Sequence, residues 1–437
     1  MTSVVAPPYD IVSPELKDEL YMRSPYNIIR IDYGRDEEGD DERNNRYTRA
    51  LGFLNEWIKG HILRQDEEPS FYPYQIIYRL EGEEKTLSGL MAAVKIEEFG
   101  KGRIRPHEVT YSKPKSDRLN ILRSCMANIS PIFSLYSSNE KVTSSIIKEV
   151  SNTPPLLEAR NGDGFIHRLW RVNDMRSIEM IRNELADKDI FIADGHHRYE
   201  TALEFKNEMK AGGRRLTTGS EVTDAGGEVT VRVGSMPWNY VLMFLANIED
   251  NGLTLLPTHR MVKLKHTINL KEALSPYFDI DILPINLNEM GGHSNSCGWR
   301  GNSCRWRGNS WRRLLRVIED NGSSIGMFVN GDERLYSLRL KPTVTIDTHE
   351  VFSGLGVTTL HELIFKKLLK TEDFEYEMSL PIVIEKVRKG QYHVAFLLTP
   401  TRVEDVKRVA LAGLRMPPKS TYFYPKLLTG MVIYKFG

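Results

Sequence analysis

The sequence predicts an α/β protein (in the α+β sense) built on a mixed sheet, and three observations carry that prediction. Short apolar runs suited to buried strands recur at 190–193, 241–246 and 394–398. Between them lie stretches with helical spacing, such as Tyr47, Leu51, Leu54 and Ile58 on one face. One strand passes straight into a helix through Asp194-Gly195-His196-His197-Arg198, where Gly195 turns the chain.

The totals narrow the class. At 437 residues the chain holds two or three domain-sized units. The reading here is an N-terminal α/β domain over 1–265 and a C-terminal α/β domain over 266–437. A formal charge of +1 argues against a nucleic-acid-coating surface, so nucleic acid is not an expected partner. No apolar run approaches the roughly 20 residues of a membrane span. With no charged leader at the start, the chain reads as cytoplasmic and without a membrane partner. Cys125, Cys297 and Cys304 are too few for a disulfide framework.

Taken in order, Pro7 and Pro8 hold the first segment extended. Ser13 then caps a helix with Pro14 at its first position. A strand is expected over 28–31 and a helix over 46–59. Residues 72–80 and 85–97 read as a hairpin turning at Gly82. Ser116 or Asp117 is expected to cap a helix that carries Leu119, Leu122 and Met126 and closes at Asn128. Strands follow at 132–136 and 166–171, with a helix over 177–186. Residues 212–236 read as a flexible insertion, rich in Gly, Thr and charge.

Beyond 253–262, the repeat around Gly298-Trp299-Arg300-Gly301-Asn302 and Arg305-Trp306-Arg307-Gly308-Asn309 marks 291–313 as a low-complexity insert expected to lie outside the core. Asn330-Gly331 turns a hairpin between 324–329 and 334–340. Helices are expected at 358–369 and 402–412, and a last strand at 431–434.

Chemistry concentrates at the strand–helix junction. A helix opening off a buried strand presents free N–H groups and its positive dipole end, a seat for an anion. His196, His197 and Arg198 add donors there, and Asp194 adds a carboxylate. The plain structural alternative is a turn in which Arg198 pairs with Asp194 or Glu200. Lys113, Lys115 and Arg118 gather near another helix start, and His259-Arg260 forms a third cluster. His107-Glu108 offers acid–base chemistry. The P-loop pattern is absent, and no His-Glu pair has the second His of a metalloprotease motif.

With these segments in hand, the chain resembles the domain of unknown function 1015 family almost end to end. The carriers include Ala6-Pro7-Pro8-Tyr9-Asp10, Pro25-Tyr26-Asn27, His107-Glu108, Asp117-Arg118-Leu119, Asp194 to Glu200, Pro257-Thr258-His259-Arg260 and the segment from Lys419 to Lys426. Two departures stand out: family members carry a further strand before Ala6, and the repeat at 291–313 is foreign to the pattern. The central motif is also similar to the phosphate-binding turn of the ParB/sulfiredoxin-like group, which includes free-serine kinases. That likeness implies that Gly195, His197 and Arg198 hold nucleotide phosphates and that Asp194 reaches a metal or a hydroxyl.

The expectation is therefore phosphoryl transfer from ATP or ADP with Mg²⁺ to a small hydroxyl compound, with an amino acid such as serine as a candidate. Gly195, His196, His197 and Arg198 would cradle phosphates, with Arg118 and Arg260 behind them. Glu108 or Asp194 would act as base, and Asp194 as metal ligand. The rival expectation is a nucleotide-sensing or nucleic-acid-associated regulator that performs no chemistry.

Overall fold

A long antiparallel hairpin, β1 (Tyr72–Leu80) and β2 (Glu83–Lys95), forms the spine of the first sheet, with Tyr72 opposite Met91 and Leu80 opposite Glu83. The computed structural model describes residues 1–80, 82–109, 112–211, 236–266, 268–285 and 310–436. Further strands are β3 (Ile104–Arg105), β4 (Ala127–Asn128), β5 (Ile132–Tyr136), β6 (Leu157–Arg160), β7 (Ile166–Leu169), β8 (Ile190–Asp194) and β9 (Tyr240–Asn247). All but β4 join one eight-stranded sheet in the order β3-β8-β5-β9-β2-β1-β7-β6. β8 runs parallel to β3 and antiparallel to β5, and β5 runs parallel to β9, so the sheet is mixed as expected.

β8 reads as uninterrupted apolar sequence because both its faces are covered. Phe191 and Ala193 enter one core, while Ile190 and Ile192 enter a second with Tyr199, Ala202 and Phe205 of the following helix.

The second half adds β10 (Thr254–Leu256), β11 (His259–Val262), β12 (Phe278–Ile282), β13 (Ile325–Val329), β14 (Leu335–Leu340), β15 (Phe374–Glu377) and β16 (Val394–Leu398). All but β10 form an antiparallel six-stranded sheet ordered β12-β14-β13-β16-β11-β15. β11 joins this sheet although it precedes residue 265. The chain then returns to the first half. β17 (Tyr422–Tyr424) pairs with β10, β18 (Tyr434–Lys435) pairs with β4, and Met416 and Thr429 bridge to Glu108 and Ala6.

Several local expectations need correction. Residues Ile29–Asp32 form a helical turn rather than a strand, because Asn27 accepts the Ile29 N–H at 3.0 Å and donates to the Ser3 and Val5 carbonyls. The helix expected to start at Ser116 or Asp117 spans Ser112–Cys125. Asp117 does not cap it; its carboxylate takes Arg46 at 2.6 Å and the Tyr47 hydroxyl at 3.0 Å. That helix stops before Asn128, as Met126 turns into the left-handed region at φ 48°. Thr359–Leu369 is helical, but as a π-helix. The final strand is shorter and later than 431–434.

The insertion at 212–236 lies outside the described residues save Met236, and most of 291–313 does too. Ser310 nonetheless opens a helix to Asp320, so the end of that stretch is not the structureless insert expected. Leu314 and Ile318, one turn apart, bury against Phe328 and Leu335 and hold that helix on the sheet.

Candidate functional site

The junction after β8 is built as its sequence implies. Gly195 adopts φ 99°, a region that disfavours side chains, and the helix His196–Ala211 begins at once with Tyr199 N–H on the Gly195 carbonyl at 3.0 Å. The amides of its first turn have no carbonyl of their own helix to bond. Arg198 folds back over the turn so closely that a Cβ on residue 195 would lie 2.9 Å from its Nε. Its guanidinium donates to the Pro131 carbonyl and sits 3.6 Å from Asp194 Oδ2. The ion pair of the structural alternative is thus present, but it is not the whole of the site.

Lys426, from just after β17, reaches Asp194 Oδ2 at 3.0 Å. Burial favours the neutral carboxyl, yet Lys426 and then Arg198 outweigh it and hold Asp194 well below the usual carboxylate range. Asp194 is therefore a fixed anion between two cations. Lys426 also lies 4.3 Å from the Tyr422 ring centroid.

Glu108 reaches the same place from the segment after β3. Met416 N–H donates to the His107 carbonyl at 2.7 Å, and Arg415 donates to the Glu108 carbonyl at 3.1 Å. Glu108 Oε1 accepts the Lys419 N–H at 3.0 Å. Burial pushes its carboxyl up to about 7, overriding that hydrogen bond and the charges of Lys419 and Lys426. The charge of Asp194 reaches Glu108 and raises its carboxyl further, which puts the two carboxylates singled out in the sequence in one electrostatic neighbourhood.

The two histidines nearest them are packing elements. His107 is buried; its Nδ1 faces the Ile192 carbonyl at 2.8 Å and its Nε2 the Thr421 hydroxyl at 2.9 Å. His196 accepts the His107 N–H on Nε2 at 3.3 Å, and the rings meet edge to face at 4.8 Å. Burial keeps both rings neutral, with His107 lowered to about 4 and His196 also driven down. His196 thus ties the segment before Glu108 to the helix through the His107 amide. His197 is half-buried, its pKa lowered by burial against the pull of Glu200, and the charges of Lys115, Lys419 and Asp10 reach it.

Arg118 and Arg260 are each engaged by protein partners. Arg118 is buried, bound to Asp32 at 2.9 Å and to Asp117, with its guanidinium 3.9 Å from the Tyr9 ring centroid. Arg260 is fully buried and donates to backbone carbonyls of Thr258, Pro418 and Lys419. Lys115 pairs with Glu200, and the Lys113 side chain lies outside the described residues.

Lys426 pairs with Asp194 and the charge of Lys419 reaches it, and the sequence reading singled out neither as a site residue. A weak signal was present: the run from Lys419 to Lys426 mixes lysines and aromatics around Pro425 near the chain end, an odd composition for a core strand. Among the described residues no three His, Cys, Asp or Glu side chains are placed to hold a metal. An open cleft bordered by Lys85, Lys141 and Lys148 shares no residue with this junction. No described helix is long and apolar enough to cross a membrane.

Three solved structures show loose likeness. A free serine kinase in complex with AMP aligns at TM-score 0.35 and 9% identity over 77% of this chain and 86% of its own. A conserved hypothetical protein from Pyrococcus furiosus gives TM-score 0.32 and 10% identity, over 76% and 93% respectively. C-terminally truncated SbnI from Staphylococcus aureus gives 0.34 and 9%, over 78% and 85%. Superpositions this loose carry no argument about residues or function. No curated protein matches the sequence significantly. The pattern of DUF1015, a protein family of unknown function, matches residues 1–360, and the chain therefore belongs to the DUF1015 family.

Proposed function

We propose that this protein transfers a phosphoryl group from ATP or ADP to a small hydroxyl compound at the Asp194–Arg198 junction. One observation carries the reading: a helix start with open amides is met by Arg198, Lys419 and Lys426 beside a carboxyl that titrates at about 7. Phosphoryl transfer needs charge neutralisation and positioning above all, and this junction offers both. Glu108 suits the general base, since a base works best with a pKa near the working pH. Asp194, permanently ionised and held by Lys426, suits the task of orienting cations. His197 and Gly195 complete the phosphate-facing turn.

Mg²⁺ enters this reading only as an ion carried by the nucleotide. Magnesium commonly keeps its phosphates and waters and takes one or two protein carboxylates. Asp194 would serve, provided Lys426 turns from it to the phosphates.

Calorimetry with ADP and ATP plus Mg²⁺, followed by product assay with labelled nucleotide and a pool of small hydroxyl metabolites, tests the proposal. Arg198→Ala is expected to weaken nucleotide binding by about ten-fold or more. Glu108→Gln is expected to bind nucleotide normally and to lose turnover by about a hundred-fold. Equal binding by wild type and Arg198→Ala would remove the phosphate site. The prior pairing of Asp194 with Lys426 favours one second reading, a nucleotide sensor without chemistry; binding with no phosphorylated acceptor would select it.

A further inference from the structure

Arg260 is a buried guanidinium with an unusual set of partners. Its side chain is 0% exposed, yet its hydrogen bonds run to carbonyls: Thr258 just before its own strand, Pro418 at 3.4 Å and Lys419 at 2.9 Å. No carboxylate among the described residues reaches it within ion-pair distance, and its Nε has no hydrogen-bond partner there. The Tyr376 ring, 5.1 Å away on the neighbouring strand, and the charge of Glu108 compensate it in part. A charge buried without an ion-pair contact is costly, and an apolar side chain would fill the same volume at less expense. Burial accordingly drags the Arg260 pKa down to about 10.

The segment that Arg260 grips is itself unusual. Lys419 sits at φ 56°, a left-handed conformation uncommon for residues other than glycine, which Lys141 and Lys370 also adopt. Two clamps hold it there. Arg260 takes the carbonyls of Pro418 and Lys419 on one side, and Glu108 Oε1 takes the Lys419 N–H at 3.0 Å on the other. Beyond it, Thr401 donates to the Ser420 carbonyl at 2.8 Å. The Lys419 side chain is exposed, and its charge reaches Asp194, Glu108 and His197.

We propose that Arg260 is a positioning residue whose task is to hold Lys419 in its left-handed backbone conformation, so that its ammonium faces the anion bound at the Asp194–Arg198 junction. Arg260 itself touches no ligand. A planar fork suits this work because its Nη1 is anchored on the Thr258 carbonyl while its Nη2 takes the Pro418 and Lys419 carbonyls, a fixed two-armed geometry that a lysine in the same place does not supply. The inference rests on the phosphate-site reading for the identity of the anion, but not for the clamp.

A double-mutant cycle on the full chain separates the possibilities. Calorimetry with ADP and with inorganic pyrophosphate would compare wild type, Arg260→Met, Lys419→Ala and the double variant. Each single change is expected to weaken binding by about ten-fold, and the double variant is expected to be no worse than Lys419→Ala to within about two-fold. Losses that multiply to about a hundred-fold, or an Arg260→Met protein that binds like wild type, would overturn the proposal. Arg260→Lys keeps the charge without the fork and is expected to fall between wild type and Arg260→Met; if Arg260→Met does not fold, the same cycle with Arg260→Lys decides by the same criteria. If wild type binds neither probe, the phosphate reading fails on its own. Hydrogen exchange then judges the clamp: the Lys419 amide is expected to exchange about ten-fold faster in the Arg260 variant, and unchanged exchange would sink the inference.

Discussion

Lys426 Nζ lies 3.0 Å from Asp194 Oδ2 although 232 positions separate the two residues. This contact ties the C-terminal return of the chain to the strand–helix turn at the end of β8, one strand in from the edge of the first sheet. Both side chains are mostly buried, at 12% and 22% exposed, so each depends on the other for charge compensation. Arg198 shares the carboxylate at 3.6 Å and so belongs to the same group.

Lys426→Met should cost about 2 kcal/mol of stability at neutral pH, because it leaves a largely buried carboxylate with one cation instead of two. The cost should depend on pH in a defined sense. Asp194 has a folded pKa below its unfolded value, so the stability it contributes is complete above about pH 4 and is lost as pH falls through the acid range. Urea unfolding of wild type and variant at pH 7 and pH 3 should show the gap narrowing at the lower pH. A gap that stays constant would mean Lys426 acts through packing alone.

Glu108 gives the opposite slope. Its folded pKa of about 7 stands above its unfolded value, so the protonated form is preferred in the folded state. Wild-type stability should therefore fall as pH rises from about 4 through 7 by on the order of 1–2 kcal/mol from this group. Glu108→Gln keeps an acceptor for the Lys419 N–H and removes the titration. The variant should gain on wild type between pH 5 and pH 8 in parallel denaturation series. Curves that run parallel across that interval would place the Glu108 titration elsewhere.

Gly195→Ala tests the fold-back of Arg198. The φ of 99° costs any side chain, and the new Cβ would press on Nε, Cζ and Nη2 of Arg198 at 2.9–3.0 Å. Gly39, at φ 88° with nothing within 4 Å, is a control that carries only the backbone cost. Gly39→Ala should lose about 1 kcal/mol and Gly195→Ala about 1–2 kcal/mol more. Thermal unfolding reads the difference, and equal losses would show that Arg198 does not pack against the turn.

The parts of the site that were legible in the sequence are those whose signal is local. The run 190–193 followed by Asp194-Gly195 placed the strand, the turn and the helix, because alternate residues of a strand buried on both faces must all be apolar. Ser13 before Pro14 placed a helix start for a similarly local reason. The failures were local patterns overruled by distant partners. The apolar run at 28–31 reads as a strand, but Asn27 spends its side chain on Ser3, Val5 and Ile29 and winds the backbone. Asp117 reads as a cap, but Arg46 and Tyr47 claim its carboxylate from another helix.

Which charges face a ligand and which are structural was likewise undecidable from composition. Arg118 and Arg260 look like phosphate binders in the sequence, and each is buried against protein partners. Lys419 and Lys426 are legible in the sequence only as part of a family segment, and the pairing of β17 with β10 brings that segment back to the first half.

By itself the sequence determined the α/β class, the family and the strand–turn–helix at Asp194, since these depend on side-chain period, turn chemistry and ordered motifs along the chain. Only the tertiary structure decided that Lys426 pairs with Asp194, that the charges of Asp194 and Lys419 reach Glu108, and that Arg118 and Arg260 bond to protein partners. The reason is physical: a hydrogen-bond period repeats every few residues and leaves its mark on neighbours. A contact across 232 positions is set by how two sheets pack and where the chain end returns between them.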